Sequence, residues 1–336
     1  MSVWPTSNWD EMLDEFRALG GTASNIRLGA GALGRGIFPI EPAKSVTIRI
    51  PDNLLIDTAD AHFENGIFRV RAEANVGSRE RAFLEDYENR FSWGGGGRAE
   101  TEQVFADAQA LPASLRRELA GEYRCGAWFE EPTQARIQEQ FVASRCISYR
   151  GRSVIMPIVE LVNHGAGVNY DTNDGLKLAG KFGGEVLVRY TDLDPYGLFL
   201  TWGFAYEQRL AFSIALAGNV GEAQLEIGRD IAEFSSPQAW VPRLARSAGG
   251  GALDFLMIGN SQYPRLCRGI FYKVMHEAGL AGFEEAFDTI QHVNRTHFLN
   301  LLAALEGVKG PMAKTLSRMA RHQLTAMSFS FGVRAV

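Results

Sequence analysis

The chain has 336 residues, 46% hydrophobic and 22% charged, with a formal net charge of −5. This length and balance suit a globular protein with one large core or two domains, and the acidic surplus leaves no basic footprint for general nucleic-acid binding. The three cysteines, Cys125, Cys146 and Cys267, stand apart without CxxC spacing, which argues against a zinc cluster and a disulfide framework, and no metal is expected.

No run approaches the ~20 apolar residues of a membrane span. The first residues lack a basic-then-apolar leader, so no membrane role is expected and the expected compartment is cytoplasmic.

Ser7 ahead of Asp10, with Trp9, Leu13, Phe16 and Leu19 on one face, predicts an N-terminal helix within residues 1–24, stopped by Gly20-Gly21. Gly29-x-Gly31-x-x-Gly34 matches the dinucleotide-binding fingerprint. That fingerprint needs a buried strand before it and a helix opening at its last glycine. Pro39 and Pro42 disfavour the helix, and no apolar strand of useful length precedes Gly29. A nucleotide-dependent oxidoreductase built on these glycines is therefore set aside. Val46, Ile48 and Ile50 alternate as a half-buried strand does.

Residues 57–140 read as a helical insert. Phe83, Tyr87 and Phe91 share a helix face, the Gly94–Gly97 run reads as a flexible break, and further helices are predicted over 104–110, 111–119 and 135–144. Glu130-Glu131 reads as a solvated helix start. Beyond Phe204, helical spacing is predicted over 206–217, 222–234, 237–245, 264–280, 283–305 and 311–327. His292 and His297 are spaced wrongly for helix-borne metal ligands. The last residues, 328–336, alternate in polarity and suit an edge strand or a cap.

The most informative stretch is 154–204. An apolar run leads to Glu160-Leu-Val-Asn163-His164. A turn-rich interval follows, then a β-like segment Gly183-Gly-Glu-Val-Leu-Val-Arg-Tyr190, then Gly203-Phe204. Asn and neutral His each carry both a donor and an acceptor, so the pair can lock backbone that lacks a ladder partner.

These residues resemble the core motifs of SET-domain methyltransferases, in the branch typified by the Rubisco large-subunit lysine methyltransferase. That branch carries D-x-x-N-H, then G-E-(E/Q)-(apolar)-x-(apolar)-x-Y, then G-F. Gly34-Arg-Gly-Ile-Phe38 and Val46-Thr-Ile-Arg-Ile50-Pro51 are similar to its two N-terminal strands, and Ser144-Arg145 to the Ser/Thr-Arg ahead of the D-x-x-N-H segment. The resemblance implies an α+β fold with a SET domain over 25–205, interrupted by the helical insert, and an all-helical C-terminal substrate-binding domain over 206–336.

It further implies S-adenosylmethionine as methyl donor, cradled by Gly34, Arg35, Gly36, Ser45, Val46 and Thr47 and contacted by Arg145, Glu160, Asn163 and His164. Tyr190 is implied as the catalytic residue that also touches the cofactor. Trp202, Phe204 and Tyr206 can form an aromatic wall for a cationic substrate or pack in the core. Glu160 stands where the branch has Asp, Ser45 where an acidic residue is common, and Thr191 where Gly is common, with Leu193-Asp194-Pro195 in place of the usual polar residues.

The implied activity is methylation of a protein or peptide substrate, with a lysine amine as acceptor. A histidine acceptor and a non-catalytic binding module are the alternatives. The chemistry is demanding: a free lysine has a pKa of ~10.4, so presenting a neutral amine near neutral pH costs ~4 kcal/mol, which a narrow low-dielectric channel reduces.

Overall fold

The computed structural model describes residues 8–121, 123–220, 223–231, 240–247, 250–283 and 285–332. The chain folds as two units, Met1–Gln103 with Glu131–Tyr190, and Val104–Glu130 with Thr191–Val336.

In the first unit, helix α1 (Trp9–Ala18) buries Trp9, Met12, Leu13 and Phe16, the face its spacing predicts. The helix ends at Ala18, ahead of Gly20-Gly21 as expected, and the rest of the 1–24 segment carries strand β1 (Thr22–Ser24). The predicted start at Ser7 lies outside the described residues.

β2 (Ile26–Gly31) and β3 (Gly34–Pro39) form an antiparallel hairpin that pairs Gly31 with Gly34. The glycine fingerprint is thus a hairpin turn, and no helix opens at Gly34. β4 (Val46–Ile50) buries Val46, Ile48 and Ile50 as the alternation predicts, and pairs with β1 through Ala23↔Ile48.

The expected helical insert begins instead with strands. β5 (Ile56–Asp57) is followed by a hairpin of β6 (Ala61–Glu64) and β7 (Ile67–Val70). The physical reason is the Asn65-Gly66 loop, whose φ angles of 51° and 79° are those of a two-residue hairpin turn. Helices start only at α2 (Ser78–Arg90), where Phe83, Tyr87 and Phe91 stack along one face with ring centroids 6.2 and 6.4 Å apart.

The glycine run expected as a flexible break folds as one tight turn, with Trp93, Gly95 and Gly97 buried. α3 (Arg98–Gln109) follows and begins six residues before the predicted 104–110; α4 (Ala113–Gly121), which belongs to the second unit, and α5 (Gln134–Ala143) lie close to their predicted places.

Back in the first unit, β8 (Cys146–Tyr149) and β9 (Arg152–Ile155) pair, and β9 pairs with β5. β10 (Asn163–Val168) comes next, then β11 (Leu176–Gly180), which completes the sheet β1-β4-β11. β12 (Leu187–Val188) lies parallel to β10, with Asn163 opposite Leu187 and His164 opposite Val188. One core unites Phe16, Ile48, Phe68, Tyr87, Val159 and Val188.

The second unit overturns the expectation of an all-helical C-terminal part, although the α+β class holds. After α6 (Pro195–Trp202) come β13 (Leu210–Phe212), β14 (Leu216–Val220), β15 (Ala223–Ile227), β16 (Leu244–Ser247), β17 (Gly250–Leu253) and β18 (Met257–Asn260). Four of them form a sheet in the order β14-β15-β17-β16, and β13 pairs with β18.

Leu225 and Ile227 are buried while Gln224 and Glu226 are exposed, a period of two that residue spacing over so short a run does not separate from a helix. Of the helices predicted over 222–234 and 237–245, residues 222 and 232–239 lie outside the described residues. The later helices appear as predicted: α7 (Leu266–Glu277), α8 (Ala286–Ala304) and α9 (Pro311–Ser328). Residues 329–332 turn rather than form a strand, and 333–336 lie outside the described residues.

Asp194, one of the residues that depart from the branch pattern, is the hub of this unit. It is fully buried and caps α6. It accepts hydrogen bonds from the Gly197 N–H at 2.8 Å, the Phe212 N–H at 2.9 Å, Arg229 Nη2 at 2.7 Å and Gln323 Nε2 at 2.7 Å. Among the described residues no helix is long and apolar enough to cross a membrane, and no three metal-ligating side chains gather.

Candidate active site

The parallel pairing of β10 and β12 brings three of the singled-out residues together in the first unit. Asn163 donates through Nδ2 to the Arg35 carbonyl at 2.8 Å and to Glu185 Oε1 at 2.6 Å. His164 accepts the Tyr190 N–H on Nδ1 at 3.2 Å, and its ring meets the Tyr190 ring edge-on with centroids 5.2 Å apart. Both side chains lock backbone, as their donor and acceptor sets allow. Burial, reinforced by the Arg189 charge, lowers the His164 pKa to about 4. The imidazole is therefore neutral at physiological pH, with its proton on Nε2.

The Tyr190 hydroxyl donates to the Val162 carbonyl at 2.7 Å, and a phenolic oxygen can accept as well as donate. Burial pushes its pKa upward, so it stays a phenol rather than a phenolate base. Tyr170, a half-buried residue in the turn-rich interval, places its hydroxyl within electrostatic reach of Tyr190, and that buried hydroxyl atom meets no hydrogen-bond partner in the structure.

Gly36 faces this cluster. A methyl at its Cα would overlap Glu185 Oε1 and come within 2.9 Å of Asn163 Nδ2, so any larger residue here would push the Glu185 and Asn163 side chains from their places. Gly34 stands at the hairpin turn with φ 94°.

Beside these residues lies a cluster of charges. Arg35 has a 2% exposed side chain and donates through Nη1 to the Phe91 carbonyl and to the Gly95 carbonyl, the latter at 2.7 Å. Arg145 reaches the Glu160 carbonyl through Nη1 at 3.4 Å and lies over the Phe141 ring, 4.9 Å from its centroid. Burial opposes the charge on Arg145, but the Glu160 and Glu100 carboxylates outweigh it and raise the pKa. Glu160 is buried, accepts the Tyr87 hydroxyl on Oε1 at 2.9 Å, and has no hydrogen-bond partner for Oε2.

The approach to Glu160 is strained. Ile158 has φ 69° and ψ −52°, with the Val159 N–H bonded to the Pro157 carbonyl at 2.8 Å. This γ-turn costs on the order of 1–3 kcal/mol for a β-branched residue.

Glu88 is 1% exposed, and neither carboxylate oxygen finds a donor in hydrogen-bonding geometry. Burial, then the Glu160 charge, push its pKa well up, against weaker pulls from Ser92, Arg145 and Arg35. Glu88 holds its proton in the fold above the 4.5 at which it loses it when unfolded, so stability falls as pH rises above that value. The slope is at most ~1.4 kcal/mol per pH unit. Glu88→Gln removes it, and the variant is expected to gain on the wild type by ~1–3 kcal/mol between about pH 5 and about pH 8 in urea denaturation. A constant difference across that range would show that Glu88 titrates normally.

Ser45 precedes β4, and Val46 and Thr47 open it within the sheet β1-β4-β11, where Thr47 pairs with both Ser24 and Ala179. Trp202, Phe204 and Tyr206 belong to the second unit. All three are half-buried, and the Trp202 and Phe204 ring centroids are 6.4 Å apart. Sequence reasoning passed over Glu185, Tyr170, Tyr87, Glu88 and Glu100. Glu185 carried a signal, since it lies inside the motif that ends in Tyr190.

No protein-family model matches the chain, and no curated protein does. Among solved structures it is similar to the SET domain of LSMT bound to lysine and AdoHcy, at 15% identity and a TM-score of 0.42, covering 96% of this chain and 89% of that one. It is likewise similar to Rubisco LSMT bound to sinefungin and monomethyllysine, at 16% identity and a TM-score of 0.43, covering 97% of this chain and 90% of that one. At these identities and TM-scores, the chemistry of the site rests on its own geometry.

Proposed function

We propose that the chain is an S-adenosylmethionine-dependent N-methyltransferase acting on a protein or peptide, with a lysine amine as acceptor. The observation that supports this best is the Tyr190 hydroxyl, held on the Val162 carbonyl beside the unpartnered Tyr170 hydroxyl and next to the Asn163–Glu185 pair.

The donor set fits a zwitterionic sulfonium ligand. The Glu185 carboxylate and the Arg35 and Val162 carbonyls suit positive charge, Arg145 suits a carboxylate, and Gly36 leaves the backbone bare beside them. S-adenosylmethionine, when bound, supplies an electrophilic methyl group.

The residues of the chain then have distinct tasks. Asn163 fixes the β3 backbone against Glu185. His164, neutral, fixes the Tyr190 backbone. The Tyr190 oxygen accepts an N–H of the incoming amine and so aims the nitrogen lone pair, an orienting effect worth several kcal/mol. Tyr190 does not take the proton, because burial keeps it a phenol. The low-dielectric surroundings favour the neutral amine instead. The half-buried rings of Trp202, Phe204 and Tyr206 are proposed to contact the substrate through their faces.

Calorimetric titration with S-adenosylmethionine, S-adenosylhomocysteine and NAD(H) tests this reading. Micromolar binding of the two adenosyl ligands is expected, weakened at least about tenfold in Asn163→Ala, which loses two hydrogen bonds, one of them to a carboxylate. A folded protein that binds neither would overturn the enzyme reading, and binding of NAD(H) alone would restore the glycine fingerprint.

A further inference from the structure

Arg35 and Arg145 share one anion. Glu100 Oε2 faces Arg35 Nη2 at 3.4 Å and Arg145 Nη2 at 3.2 Å. Both separations exceed the ~2.7–2.9 Å of a well-made charge-assisted hydrogen bond, so one oxygen is stretched between two donors. Exposure rises steeply across the trio, from 2% for the Arg35 side chain to 16% for Arg145 and 44% for Glu100. Glu100 is thus the outermost group over a guanidinium pair otherwise enclosed by protein. It sits in the first turn of α3, directly after the glycine turn whose Gly95 carbonyl holds Arg35.

The arginines keep other partners if Glu100 moves. Arg35 retains the Phe91 and Gly95 carbonyls, and Arg145 the Glu160 carbonyl and the Phe141 ring. These partners satisfy donors but, being carbonyls and a ring, do not cancel the charge. With Glu100 gone, two guanidiniums face the single Glu160 carboxylate. An anion of the same shape is then favoured at the place Glu100 held.

We propose that Glu100 is an internal stand-in for a ligand carboxylate: it holds the anion position of the Arg35–Arg145 pair, and a carboxylate-bearing ligand reaches that pair by displacing it. On the reading given above, the ligand is the amino-acid end of S-adenosylmethionine or S-adenosylhomocysteine. Glu100 then weakens their binding selectively and leaves adenosyl compounds without a carboxylate unaffected. A purely structural Glu100, needed to neutralise the arginines, predicts the reverse, with lower stability and no gain for any ligand.

Two measurements on the full chain, wild type against Glu100→Gln, separate these cases. The first is the thermal midpoint in sodium sulfate against sodium chloride at matched ionic strength. Sulfate is expected to raise the midpoint of Glu100→Gln by several degrees more than that of the wild type. An equal response in both proteins overturns the stand-in. The second is calorimetric binding of S-adenosylhomocysteine and of methylthioadenosine, which lacks the amino-acid end. The variant is expected to bind the former about five- to tenfold tighter and the latter unchanged. Weaker binding of S-adenosylhomocysteine, or an equal change in both ligands, overturns the proposal. If neither protein binds either nucleoside, the methyltransferase reading fails, and the sulfate response alone decides the role of Glu100. Glu100→Asp, which keeps the charge on a shorter arm, is expected to fall between the two proteins in both measurements.

Discussion

Tyr190→Phe is expected to lower the rate of methyl transfer by about two to three orders of magnitude while leaving S-adenosylhomocysteine binding within about threefold. The phenol ring packs edge-on to His164, and that contact survives the substitution. What is lost is one oxygen. It bridges the Val162 carbonyl and, on the proposed reading, the amine whose lone pair must point at the methyl group. Without it the amine loses its acceptor and Val162 loses its donor, and a misaimed nucleophile forfeits much of the benefit of being held at all.

The stability cost is modest, about 1 kcal/mol for one half-buried hydrogen bond, so a folded variant is expected and its urea midpoint reports it. The rate is measured as labelled methyl transferred to acceptor proteins under saturating methyl donor. Transfer at the wild-type rate would remove Tyr190 from the reaction. A parallel Tyr170→Phe protein shows whether the second, unpartnered hydroxyl contributes.

The parts of this site that were legible in the sequence are those that lie close along the chain or repeat a simple period. Asn163 and His164 are adjacent, and Tyr190 ends a recognisable segment. Val46, Ile48 and Ile50 alternate, and all three are buried. The long C-terminal helices were legible because 18 or 19 residues, as in α9 and α8, contain enough turns for an apolar face to declare itself.

The strands between 210 and 260 were not. They are three to five residues long and rich in alanine and glycine, as in LAGNV, AQLEI and GGAL, so local preference argues against them and pairing supplies their stability. The hairpin at 61–70 was legible in principle from Asn65-Gly66, and its helical reading came from extending the neighbouring pattern over it. The charged cluster had no signal of its own. Tyr87 and Glu160 meet across 73 residues of chain, and Tyr87 reads from its spacing as one more member of an apolar helix face. Glu100 follows a glycine run that suggests flexibility until the fold shows Gly95 bonded to Arg35.

Gly167→Ala is expected to destabilise the first unit by about 3 kcal/mol or more, because it strikes the pairing that assembles the site. Gly167 lies in β10 opposite β12, at the place where the register shifts between His164 and Val168. A methyl at its Cα would overlap the Leu187 carbonyl oxygen, and the Val188 nitrogen stands 3.0 Å away. The obstacle is backbone, so no rotamer change relieves it. One of the two strands must move.

That movement would break the Arg189 N–H bond to the Val168 carbonyl, 3.1 Å long, and the Tyr190 N–H bond to His164 Nδ1. Tyr190 would leave the Val162 carbonyl with them, so loss of S-adenosylhomocysteine binding and of methyl transfer is expected even in molecules that stay folded. Gly183→Ala is the control. It lies on the same approach to β12, no atom stands within 4 Å of its added methyl, and its backbone is not left-handed. It is expected to be neutral or to stabilise by up to ~1 kcal/mol through the unfolded chain. Urea denaturation of both variants decides the matter: equal midpoints would mean that the β10–β12 contact is looser than its geometry, and that Asn163 and Tyr190 are not held together by it.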